Sequence, residues 1–158
     1  MTSNFLSICF IALAPLCFAQ SKKEVKEHKI KASAVSVVEN GKTINESKTI
    51  FDSKGNEIET TDYTKEGAVK DIHKIKYNSE GDEIEDEQYD AANKLVEKKY
   101  TRYNMSGEKT EESFFDATGK PTKKHTYTYD NKGLKTEKRT TDAGGKVISI
   151  KKYVYITK

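Results

Sequence analysis

One spacing limits what this chain can fold into. Phe51, Tyr63, Tyr77, Tyr89, Tyr103, Phe115, Tyr129, Thr141 and Tyr155 recur at alternating steps of 12 and 14 residues. Gly41, Gly55, Gly67, Gly81, Asn93, Gly107, Gly119, Gly133 and Gly145 keep the same rhythm, at 14 and 12. The full period is 26 residues, room for two strands and two turns. A fixed period of this kind is the signature of a repeat architecture.

The residues within each period say which architecture. The local unit is an aromatic residue, Asp or Asn, two variable residues and Gly: Phe51-Asp52-Ser53-Lys54-Gly55, Tyr77-Asn78-Ser79-Glu80-Gly81, Tyr129-Asp130-Asn131-Lys132-Gly133. Asp or Asn at the head of a type I turn accepts bonds from nearby backbone amides. Gly three residues on takes the positive φ that leads into the next strand. The predicted turn residues are Asp52, Gly55, Asn78, Gly81, Asp90, Asn93, Asn104, Gly107, Asp116, Gly119, Asp130, Gly133, Asp142 and Gly145. Asn93 replaces Gly in the fifth turn, and Asn is the other residue that tolerates left-handed backbone.

Between turns lie short stretches rich in Thr, Val, Ile and Tyr. They predict ten strands at 30–38, 43–51, 56–63, 68–77, 82–89, 94–103, 108–115, 120–129, 134–141 and 146–155. The fold class is therefore all-β: an antiparallel meander built from 26-residue double hairpins, a curved open sheet or a nearly closed barrel. From each Gly to the next aromatic is 8 or 10 residues, always even. Side chains alternate along a strand, so the parity predicts every aromatic on one face, the concave one. The longer strands add a second apolar group two residues earlier: Ile75 with Tyr77, Tyr127 with Tyr129, Tyr153 with Tyr155. Tyr77, Tyr103, Tyr127, Tyr129, Tyr153 and Tyr155 form the predicted row. It is either the core or a platform whose rings suit a sugar or an extended partner chain.

The ends of the chain read differently. Residues 5–18 are an apolar run broken by Ser7, too short to span a bilayer comfortably. Cys17-Phe18-Ala19 presents small residues at both key positions of a signal-peptidase site. The expectation is a signal peptide over 1–19, cleaved after Ala19, and a secreted, periplasmic or cell-surface protein. Residues 20–29 read as a charged linker or a frayed helix, and 30–158 as a single β-repeat domain. Both cysteines, Cys9 and Cys17, fall in the signal, so the rest has no disulfide and no thiolate metal site.

All 28 basic and 25 acidic residues follow Ala19, which favours a thin, partly solvated sheet. They are unevenly spread. Residues 57–90 hold 12 acidic and 4 basic residues, and residues 120–158 hold 11 basic and 3 acidic. Such asymmetry steers partners or favours association. The terminal strands are the least polar, so an edge is a candidate for self-association or for a partner strand. Lys151 and Lys152 read as gatekeepers there. A transmembrane barrel fits poorly, because residues 82–88 and 135–139 charge both faces.

The turn signature, clearest in Tyr127-Thr128-Tyr129-Asp130-Asn131-Lys132-Gly133-Leu134 and Phe115-Asp116-Ala117-Thr118-Gly119-Lys120, resembles the YD repeats of the RHS family. It also looks, more faintly, like the antitoxin-type MORN-variant repeat proteins. The first resemblance implies a long coiling antiparallel sheet in secreted or surface proteins. The second implies an immunity-type protein that neutralises a partner. The 12/14 step departs from the usual YD unit, and so does Lys or Glu where that family favours Arg.

Catalytic motifs are missing: no G-x-S-x-G, P-loop or dinucleotide fingerprint. His28, His73 and His125 have no ligand neighbour at metal spacing, and the Asp-x-x-Gly turns offer too few oxygens for calcium. No enzyme activity, metal or cofactor is expected. The chain reads as a non-catalytic binding module for a glycan or an envelope protein, with no nucleic-acid partner. The alternative is a structural, self-associating surface protein.

Overall fold

A computed structural model describes residues 21–156. A short helix, α1 (Lys22–Glu27), precedes ten strands: β1 (Ala32–Glu39), β2 (Lys42–Phe51), β3 (Glu57–Tyr63), β4 (Val69–Tyr77), β5 (Glu83–Asp90), β6 (Leu95–Tyr103), β7 (Lys109–Asp116), β8 (Pro121–Tyr129), β9 (Lys135–Asp142) and β10 (Val147–Lys152). They form one antiparallel sheet in chain order. The sheet is open rather than closed: each strand pairs only with its sequence neighbours, so nothing draws β1 and β10 together.

The turns carry the repeat. Asp52 Oδ1 accepts from the amides of Lys54 and Asn56 at 2.8 and 2.9 Å. The Gly55 amide donates to Asp52 O, and the Asp52 amide donates to Asn56 O. Gly55 has φ +81°. The same pattern recurs at Asp90, Asn104, Asp116, Asp130 and Asp142. Asn93 stands at φ +58° where the others have Gly. Gly41 keeps the rhythm but not the turn. Asn40 and Gly41, at φ +51° and +76°, make the two-residue hairpin loop between Glu39 and Lys42.

Parity does not put every aromatic on one face. Each hairpin pairing from β2 to β9 shifts register by one residue at the aromatic itself, as between Lys76 and Tyr77 and between Gln88 and Tyr89. A bulge adds one residue to one strand and reverses the alternation. Tyr89 lies opposite Ile72, an odd number of residues from Tyr77 on the same strand. Phe51, Tyr77, Tyr103 and Tyr129 therefore share one face, and Tyr63, Tyr89 and Phe115 share the other.

Of segment 20–29, Lys22–Glu27 form helix α1, the helical one of its two readings. Ser21 caps α1, and Glu24 returns the bond to the Ser21 amide, a reciprocal capping box. Val25 is buried, and the helix crosses the β2–β3 turn at Gly55. Between α1 and β2 runs an apolar groove of about 640 Å³ that includes Val25, Ile30, Ile50 and Phe51. Elsewhere the sheet is nearly coreless. Among the described residues Phe114 and Tyr127 are the other buried apolar side chains, with buried Thr101 and Glu112 in the middle strands.

Candidate functional site

The tyrosine row is first of all a set of latches. The hydroxyls of Tyr77, Tyr103, Tyr129 and Tyr155 donate to the backbone carbonyls of Glu57, Glu83, Lys109 and Lys135, each 20 residues back, at 2.8–3.0 Å. Each latch ties the end of one strand to the start of its hairpin partner. Strand β10 ends at Lys152, short of the predicted 155. The Tyr153 amide still donates to Thr136 O, and the Tyr155 latch still forms. Burial and then the Glu83 and Glu57 carboxylates push the Tyr77 phenol up to about 12, so it stays neutral.

The row divides into two electrostatic halves. On the face of Tyr77 and Tyr103, Lys99 is matched: its Nζ is 2.7 Å from Glu83 and 3.0 Å from Asp86. His73 Nδ1 is 2.8 Å from Asp86, with Asp71 at 3.8 Å from Nε2. His125 instead bonds Thr140 and packs edge-on against Phe114. Among the described residues no cluster of three His, Cys, Asp or Glu could hold a metal.

The β8–β10 half is different. Tyr127 lies opposite Lys138, Lys138 lies opposite Lys151, and Tyr129 lies opposite Lys135. Opposed residues share a face. Lys135 Nζ stands 4.8 Å from the Tyr127 ring and 5.8 Å from the Tyr153 ring. Lys138 is 5.6 Å from Tyr127, and Lys151 is 5.4 Å from Tyr153. Among the described residues no carboxylate comes within 4.0 Å of these three ammoniums. Two like charges directly opposite destabilise a sheet, yet Lys138 and Lys151 hold that position. The His125 imidazole registers the field: burial first, and then the Lys138 ammonium, hold it below its ordinary value.

Beside the patch, on the same face, Glu112 and Tyr127 form a buried pair. The Tyr127 hydroxyl donates to Glu112, and Lys109 Nζ is 2.7 Å from the other Glu112 oxygen. Burial works against the Glu112 charge, but Lys109 and Tyr127 outweigh it and keep its carboxyl below the ordinary value. Burial and Glu112 together push the Tyr127 phenol far up. Tyr127 is thus held fixed by Glu112 while its ring meets Lys135 and Lys138. Tyr153, half-buried, and Tyr155, 49% exposed, stand at the surface. The structure gathers Tyr127, Tyr129, Tyr153 and Tyr155 in this half and leaves Tyr77 and Tyr103 in the acidic half. Sequence reading missed Lys135 and Lys138 as site residues and took Lys151 only as a gatekeeper. The available signal was the basic stretch 120–158, but strand register was needed to bring the three together.

No family model and no curated protein matches the chain. Solved structures do. TarM matches at 17% identity over 80% of this chain, with a TM-score of 0.31. An S. aureus TarM mutant in complex with fondaparinux, alpha-GlcNAc-glycerol and UDP matches at 16% over 79%, also at 0.31. The chain spans 22% of the length of each. A Bacteroides fragilis protein of unknown function matches at 14% identity over 80% of this chain and 96% of its own, with a TM-score of 0.43. At these scores the likenesses carry no argument.

Proposed function

We propose that the protein is a secreted or cell-envelope, non-catalytic β-repeat module that binds a glycan or protein partner through the β8–β10 face. One observation carries this reading: three lysine ammoniums without carboxylate partners converge on tyrosine rings, in a register that costs the sheet stability. Sequences break local rules of this kind mainly at functional sites. The apolar leader and the YD-type turn signature support an extracytoplasmic setting.

The test is a glycan array probed with the folded protein, alongside N-terminal sequencing of the exported chain. A specific glycan, bound by a chain beginning at Gln20, is the expected result. A folded protein that ignores every glycan and every envelope protein offered, or that stays in the cytoplasm, would overturn the reading.

A second reading, self-association, has its own observation. Strand β10 is exposed along its whole length, with Val147, Ile148 and Ile150 open to solvent at the sheet edge.

A further inference from the structure

We infer that the ligand of the β8–β10 face is an acidic polysaccharide, one carrying a carboxylate on each sugar residue. The inference rests on the proposed binding role and names its ligand class. Three features select this chemistry.

The first is uncompensated charge. Lys135, Lys138 and Lys151 share one face, and the nearest buried carboxylate, Glu112, is already engaged by Lys109 and Tyr127. A neutral glycan would leave the Lys138–Lys151 repulsion standing, whereas a carboxylate between the two ammoniums relieves it. The gain on binding therefore falls on anions.

The second is spacing. Lys138 and Lys151 lie on adjacent strands, so their backbones stand about 4.8 Å apart. Lys135 lies three residues before Lys138 on the same strand. A polymer with one acidic group per sugar, laid across the strands, meets Lys138 and Lys151 at successive residues, with Lys135 flanking that path along β9. A single small anion would use only part of the patch.

The third is the aromatic floor. The ammoniums stand over the Tyr127 and Tyr153 rings, which draws them toward one plane. Tyr155 remains half open beside them. A flat amphipathic ring next to a cation suits a sugar, which has an apolar C–H face and a carboxylate at its rim. An acidic peptide offers the charge without that face.

Binding is measured on the full protein with three probes of matched length: oligogalacturonate, neutral dextran and poly-L-glutamate. The variant is Lys135→Gln/Lys138→Gln/Lys151→Gln. Its control, Lys54→Gln/Lys65→Gln/Lys132→Gln, removes the same charge from exposed turns. Oligogalacturonate is expected to bind best and to weaken as salt rises toward about 0.5 M. The triple variant should lose about tenfold or more in affinity, and the control little. In the triple variant the relieved Lys138–Lys151 repulsion offsets the lost cation–π contacts, so it should melt close to the parent, and the melt of each variant separates lost binding from unfolding.

Dextran binding equal to oligogalacturonate would overturn the acidic class and leave the glycan-binding role intact. Equal binding of poly-L-glutamate would make the ligand an acidic chain of any kind. Equal losses in variant and control would mean that net charge, not this face, is recognised. No binding to any probe, with a neutral or protein ligand found by the array or extract, would sink this inference alone. No ligand at all would sink both.

Discussion

At Gly55 two constraints meet that are separate elsewhere. Its φ is +81°, and a Cβ there would stand 2.6 Å from the Lys22 carbonyl oxygen of α1. Gly67, at φ +83°, has nothing within 4 Å. Gly67→Ala therefore meets only the left-handed penalty, about 1–2 kcal/mol. Gly55→Ala must also displace the helix backbone, adding about 1–3 kcal/mol of overpacking. Urea unfolding of the two variants should separate them by that margin. Equal losses would mean that α1 does not seat on this turn. The need for glycine was legible in the sequence, because turn chemistry is local. The second constraint was not, because only the fold brings residue 22 to residue 55. Tyrosine shows the same limit. The repeat announced the row, but ring positions along a sequence do not reveal that the hydroxyls end on carbonyls 20 residues back.

Between elements, the weight falls on β6–β8. Buried Glu112 on β7 joins the half-buried Lys109 and the buried Tyr127 hydroxyl of β8 in one group. Replacing it by Gln leaves Lys109 without its counter-charge and should cost about 1–3 kcal/mol. The pH dependence follows from the direction of the shift. The folded pKa lies below the unfolded value, so the folded state favours the carboxylate, and its stabilisation is complete above about pH 5. It is lost as pH falls through the depressed folded value. Thermal melts of the parent should therefore steepen in their pH dependence below about pH 5, and Glu112→Gln should flatten that slope. An unchanged slope would show that other carboxylates carry it. Here sequence reading went astray for a definite reason. Strands and turns followed from composition and spacing, but each bulge puts its extra residue in the strand facing the aromatic, as at Ile84, Val96 and Thr136, with no residue type of its own to mark it. Face assignment then inverted for Tyr63, Tyr89 and Phe115, and with register went the chance to see Lys138 facing Lys151.

Across the whole molecule, an open ten-stranded sheet has two edges, and charge decides what they do. The β10 edge is apolar at Val147, Ile148 and Ile150 but flanked by Lys146, Lys151 and Lys152. Two such edges brought together would oppose like charges, so the repulsion guards the apolar strand. Association through the edge should then grow with salt, as screening tightens from about 10 Å at 0.1 M to about 3 Å at 1 M. Association through the opposed blocks, acidic over 57–90 and basic over 120–158, should shrink under the same change. Sedimentation velocity at low and high salt separates the two by sign. Ile148→Lys with Ile150→Lys should keep the protein monomeric at high salt if the edge is the contact, and should leave block-driven association in place. A protein that is monomeric in both conditions would remove self-association as a function. It would leave the lysine patch on the face of β8–β10 as the feature that still needs a partner.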